Sequence, residues 1–169
     1  TILEKMSGVR FDKYVKDSVI NRLGLHGGHN VDELDQTKIA SIYRRVDGQY
    51  VESNAYGSVA HRLDNYTMGY SAPIFSPTGG VKISAHDLAV YMMMHMNYGE
   101  LNGVHIISEE SAKTMQTPVW IKQTDDYYED QYGLCLMEFI DFLDDPLYNT
   151  PGNYPVGHTG DAYGLRSIM

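Results

Sequence analysis

Apolar positions recur at helical steps in the first part of this chain and again past its middle, while strand-like runs gather near its end. Ile2, Leu3 and Met6 fall on one helical face, and Gly8 marks a stop. Phe11, Tyr14, Val15, Val19 and Leu23 follow at three- and four-residue steps, which predicts an amphipathic helix closed by Gly24. His26–Asn30, "HGGHN", reads as a loop. Residues 31–78 read as irregular, apart from a hairpin signal at Asp47-Gly48 between partly alternating arms. The turn-rich run "YSAPIFSPTGG" is expected to lie over a surface, with few local partners for its backbone.

The clearest element is predicted over residues 84–98, "SAHDLAVYMMMHMNY". Ser84 suits an N-cap, and Asp87, three residues on, makes a capping-box-like pair with it. Leu88, Tyr91, Met92, His95 and Met96 form one stripe, and Ala89, Val90, Met93 and Met94 cover much of the rest. A helix apolar nearly all round is expected to be buried on more than one side. Asn102-Gly103 marks a tight turn, and Ser108 caps a short helix through Met115 that ends before Pro118. "KQTDDYYEDQ" reads as a charged loop, and "YGLCLMEFI", "YPVGHTG" and "YGLRSIM" as strands. No internal repeat or low-complexity tract interrupts this order.

A length of 169 residues suits one domain with a sizeable core, since 43% of the residues are hydrophobic. The 22 acidic and 13 basic residues are interspersed, net −9, which argues against a nucleic-acid surface. Cys135 stands alone and excludes an internal disulfide; a small buried side chain is its expected role. No apolar run is long enough for a membrane span, and these residues, which open at Thr1 already in a helical pattern, contain no signal-peptide pattern.

Most candidate chemistry is thin. His26 and His29 fall short of the three or four ligands a metal needs. "SPTGG" lacks the pattern of a phosphate loop. His95 reads as a core histidine, and Asp125, Asp126, Glu129 and Asp130 as a solvated acidic loop with carboxylates also suited to calcium. There is no Gly-x-Ser-x-Gly elbow, no Ser-x-x-Lys and no Tyr-x-Asn.

Four stretches taken in order carry a resemblance: "ILEKMSGVRFDKYVKDSVINRLGL", "SPTGGVKISAHDLAVYMMMHMNYG", "GELNGVHIISEESAKTMQTP", and "YGLCLMEF" with "VGHTGDAYGLRSIM". Together they resemble the serine beta-lactamase-like family, which includes class C beta-lactamases, penicillin-binding-protein-like peptidases and related esterases. Departures from its pattern are Cys135 and Asp161, where glycine is usual, and Leu165-Arg166.

The resemblance implies an α+β fold, with a mostly helical region with long loops over residues 1–128 and the first antiparallel strands of a sheet over 129–169, both parts of one larger domain. It implies a parent serine hydrolase acting on amide, lactam or ester bonds through an acyl-enzyme, with neither metal nor organic cofactor. His158, Thr159 and Gly160 would lie on an edge strand beside the nucleophile. His158 would tune charge, Thr159 and Gly160 would bind substrate, and the backbone N–H of Asp161 would help hold the oxyanion. Ser-x-x-Lys and Tyr-x-Asn would precede Thr1, and a last strand and helix would follow Met169, so this piece alone is expected to be inactive. The partner would be a small-molecule or peptide substrate at the cell envelope, in the periplasm or outside the cell. The alternatives are a non-catalytic peptide-binding or sensor relative, and an unrelated helical interaction domain.

Overall fold

The computed structural model describes residues 2–53, 57–124, 127–138, 155–162 and 165–169. The chain groups into two compact units, Thr1–Tyr91 with Gly160–Arg166, and Met92–Thr159 with Ser167–Met169. Helices and small antiparallel sheets make it α+β, with short strand pairs along the first two thirds of the chain as well as at its end.

In the first unit, helix α1 (Ile2–Ser7) inverts its apparent pattern. Ile2 and Met6 are exposed, and Glu4 is buried. The reason is a convergence of donors: the Glu4 carboxylate accepts the N–H of Phe11 at 2.8 Å, the N–H of Gly69 at 2.7 Å and the Tyr66 hydroxyl. A buried charge met by three donors is tolerated where an unpaired one is not.

Helix α2 (Phe11–Val15) runs into a wider π-helical turn, Lys16–Ile20, in place of one uniform helix to Leu23. It buries Asp12, which pairs with Arg10 at 2.6 Å and accepts from Asn30 Nδ2 at 3.2 Å. The Arg10 guanidinium also lies 5.4 Å from the Phe75 ring centre.

The expected 26–30 loop contains a strand. β1 (Gly27–Gly28) pairs antiparallel with β4 (Lys82–Ile83). Glycine is needed there, because a Cβ on Gly27 would meet the Lys82 carbonyl at 2.5 Å. Between these strands lies the Asp47-Gly48 hairpin, β2 (Tyr43–Val46) with β3 (Gln49–Glu52). Its two turn residues have φ of 48° and 82°, the type I′ signature. The run through residue 80 departs from expectation. A 3₁₀ turn, Ala72–Phe75, buries Ala72 and Phe75, and its backbone bonds locally, with Gly80 N–H donating to Ser76 O at 2.7 Å.

Helix α3 (Ala85–Met96) starts where Ser84 accepts the Asp87 N–H at 3.0 Å. Its burial is one-sided: Met94 and His95 are buried, while Met93 and Met96 are exposed. The all-round apolar surface is therefore not all covered in this chain.

The second unit continues with β5 (Glu100–Leu101) and β6 (Val104–His105) around Asn102-Gly103, again with two positive φ values. Helix α4 (Glu109–Gln116) is capped by Ser108, which accepts the Ser111 N–H at 3.1 Å. Gln116 Nε2 donates to the His95 carbonyl at 2.9 Å, tying α4 to the end of α3.

Much of the expected charged loop is a hairpin. β7 (Trp120–Thr124) pairs with β8 (Tyr127–Tyr132), so Glu129 and Asp130 belong to a strand, whereas Asp125 and Asp126 lie outside the described residues. The sheet order is β10-β9-β8-β7, with β9 at Met137–Glu138 and β10 at Val156–Gly157. The expected strand through residue 140 breaks at a turn, where Gly133 N–H donates to Leu136 O at 2.8 Å; residues 139–140 lie outside the described residues. Cys135 sits in that turn, exposed and with φ of 66°, so it is not the buried side chain its surroundings suggested. Cys135 is a turn residue with left-handed backbone and not a position on a strand face, so an apolar neighbourhood in sequence did not bury it.

Candidate functional site

The chain's last elements, β11 (Thr159–Ala162) and β12 (Leu165–Ile168), form a two-stranded sheet. Two hydrogen bonds close its open end and fix its phase. His158 N–H donates to Met169 O at 3.1 Å, and Met169 N–H donates to His158 O at 3.0 Å. In an antiparallel ladder, a pair exchanging two bonds alternates with a pair exchanging none. Carried along from His158–Met169, this alternation turns the N–H groups of Thr159 and Asp161 away from β12. Among the described residues, β11 pairs with β12 alone, so those N–H groups face the strand's other edge.

The same register sets Asp161 opposite Arg166. The structure bears this out with an ion pair, Arg166 Nε to Asp161 Oδ2, at 3.0 Å. His158 and Thr159 are exposed and Gly160 is half-buried. The His158 Nδ1 lies 2.5 Å from the Thr159 carbonyl oxygen. A carbonyl can only accept, so this bond requires the Nδ1–H tautomer and leaves Nε2 with the lone pair when the ring is neutral. The strand expected through "YPVGHTG" is split: Thr159, Gly160 and Asp161 lie on β11, and His158 stands just before it, after β10. Between them these residues carry an N–H donor, a hydroxyl and a nitrogen base.

The other histidines differ in kind. His29 is buried, with its ring 4.8 Å from that of Phe11 in an edge-on contact. Burial, and secondarily the charge of Lys82, push its pKa down to about 4, so it is neutral at pH 7. His26 is exposed, and its N–H donates to Asp87 at 3.2 Å. His95 is buried, and burial lowers its pKa as well. Among the described residues, no group of three His, Cys, Asp or Glu side chains is arranged to hold a metal ion. Nor, among them, is any helix long and apolar enough to cross a membrane.

A family model described as Beta-lactamase matches residues 1–168. The chain belongs to the beta-lactamase family. Among solved structures, this beta-lactamase-family chain is similar to the octameric penicillin-binding protein homologue from Pyrococcus abyssi, with 27% identity and a TM-score of 0.65. The likeness covers 95% of this chain and 30% of that one, so the chain spans less than a third of its neighbour's length. No curated protein matches it. The family match supports the resemblance read from the four stretches, and the neighbour supports the α+β fold.

What the sequence alone did not give is the phase of the β11–β12 ladder. His-Thr-Gly-Asp has the same composition whether the Asp161 N–H points into the ladder or out of it. The signal that settles it is the pairing of His158 with the last residue, Met169.

Proposed function

We propose that the full protein is a serine hydrolase that acts on amide, lactam or ester bonds through an acyl-enzyme. The observation that carries this reading is the outward N–H of Asp161, on the edge of β11 that no strand among the described residues pairs with. An N–H of that kind is available to a developing oxyanion, and one such donor is worth about 3 kcal/mol in the transition state. Thr159 supplies a hydroxyl to a substrate carboxylate or carbonyl. Gly160 lets the substrate backbone approach. His158 sets the local charge and holds a lone pair at Nε2 in its neutral form.

The nucleophile is assigned to the remainder of the protein, because these residues contain no Ser-x-x-Lys. An acyl-enzyme route needs such a nucleophile with an adjacent base. The 169-residue chain alone is therefore expected to leave nitrocefin and p-nitrophenyl esters intact. A site of action at the cell envelope belongs to the same proposal and rests on the family resemblance alone.

The test uses the full-length protein. A penicillin or a fluorophosphonate should add covalently to one serine, seen as a shift in intact mass. Asp161→Pro then removes the donor while sparing the ladder, since proline is tolerated where a strand N–H faces outward. It should keep the circular dichroism spectrum and slow acylation by about a hundredfold. A full-length protein that gives no adduct with either reagent overturns the reading. Peptide binding without adduct formation would point to a non-catalytic relative.

A further inference from the structure

Asp161 puts a carboxylate on the residue whose N–H is proposed to receive a negative oxygen. Unbalanced, that carboxylate would oppose the charge forming beside it. Arg166 stands directly across the hairpin, in a pair of the kind without mutual backbone bonds, where side chains approach most closely. Its Nε lies 3.0 Å from Asp161 Oδ2. The two side chains are 87% and 65% exposed, so the pair adds little to folding stability. Its place beside the donor gives it a different use. Both residues are also positions where the chain departs from the family pattern it resembles, and the structure brings those two departures into contact.

We propose that Arg166 is a positioning residue that neutralises the Asp161 carboxylate and holds it clear of the oxyanion formed at the Asp161 N–H. The inference rests on the acyl-enzyme reading above. It makes the strand after the His-Thr-Gly run a charge-balanced unit, in which an acidic side chain is accepted because its partner is fixed in register opposite.

The experiment measures the acylation burst of the full-length protein with p-nitrophenyl acetate, a neutral ester, and uses fluorophosphonate labelling to establish the nucleophile. Arg166→Gln should slow acylation about fivefold at low salt, and the deficit should shrink as ionic strength screens the exposed carboxylate. Arg166→Lys should stay within about twofold of the parent, because it keeps the charge. Adding Asp161→Asn to Arg166→Gln should recover most of the loss. Asp161→Asn alone leaves Arg166 unopposed and should quicken acylation at low salt, which tests the idea even where Arg166→Gln does not fold. A hairpin role without electrostatic content gives losses that ignore salt and are not recovered by Asp161→Asn, and that result overturns the inference. Wild-type protein that labels normally while all four variants acylate at its rate also overturns it, with the acyl-enzyme reading intact. Wild-type protein that neither bursts nor labels removes both.

Discussion

The carboxylate of Glu4 accepts the backbone N–H of Gly69 at 2.7 Å, across 65 positions of sequence. With the Phe11 N–H and the Tyr66 hydroxyl on the same carboxylate, α1 is tied to the start of α2 and to the loop ahead of the Ala72–Phe75 turn. Burial alone would raise the pKa of Glu4, but the hydrogen bonds from Tyr66, Phe11 and Gly69 outweigh it and hold it below the usual carboxylate value. Burial and the bond to Glu4 push the Tyr66 hydroxyl the other way, well above its usual value.

Glu4→Ala should therefore cost about 3 kcal/mol, because it leaves several donors without an acceptor. Denaturant midpoints at constant slope would measure it. Since the folded pKa is depressed, the stability Glu4 contributes is present above its unfolded value and is lost as pH falls through the folded one. A Glu4→Ala variant as stable as the parent would show that water satisfies these groups.

His29 carries a second acid sensitivity in a higher window. Its folded pKa of about 4 lies below the ordinary 6.5, so between these values the unfolded chain binds a proton that the folded one does not. Stability should fall on acidification from pH 6.5 toward 4, by up to about 3 kcal/mol. His29→Phe, which keeps a ring beside Phe11, should flatten that part of the profile. Urea midpoints at pH 7 and pH 4.5 decide the matter, and equal pH dependence in both proteins would assign the effect elsewhere.

Asp87 does two things. Its N–H is capped by Ser84 at 3.0 Å, and its carboxylate reaches the His26 N–H at 3.2 Å, next to β1. Asp87→Ala keeps the N–H that Ser84 caps but loses the bond to His26 and the acidic side chain in the first turn of α3, so it should cost about 1 kcal/mol. Hydrogen exchange separates the two losses. A tether to His26 predicts faster exchange at the amides of residues 26–28 as well as in the first turn of α3, and a charge effect at the helix start predicts the latter alone.

Gly80→Ala tests the turn that buries Phe75. An added Cβ would lie 2.5 Å from the Phe75 carbonyl and 2.7 Å from that of Ser76, both backbone atoms that cannot swing away. The expected loss is about 2 kcal/mol, the scale of overpacking a tight site. Thermal unfolding would register it, and Gly79→Ala, where a Cβ meets nothing within 4 Å, serves as the neighbouring control.

Local rules carried much of the sequence reading. Asp47-Gly48 and Asn102-Gly103 gave hairpins because two residues that tolerate positive φ demand a type I′ turn whatever surrounds them. Ser84 and Ser108 gave helix starts because a hydroxyl there reaches an N–H two or three residues on. The ordered set of four stretches gave the family. Tertiary contacts decided the rest. Glu4 is buried and Met6 exposed because three donors from distant parts of the chain converge on a carboxylate, and no periodicity encodes that convergence. Cys135 is exposed in a left-handed turn beside Gly133 and Leu134, whose N–H groups donate to Leu136 and to the distant Met115. Thr159 and Gly160 were legible as strand residues, whereas His158 falls in a break between β10 and β11. Which of their N–H groups face outward was set by a pairing with Met169, because in a ladder one bonded pair fixes the phase of all the others.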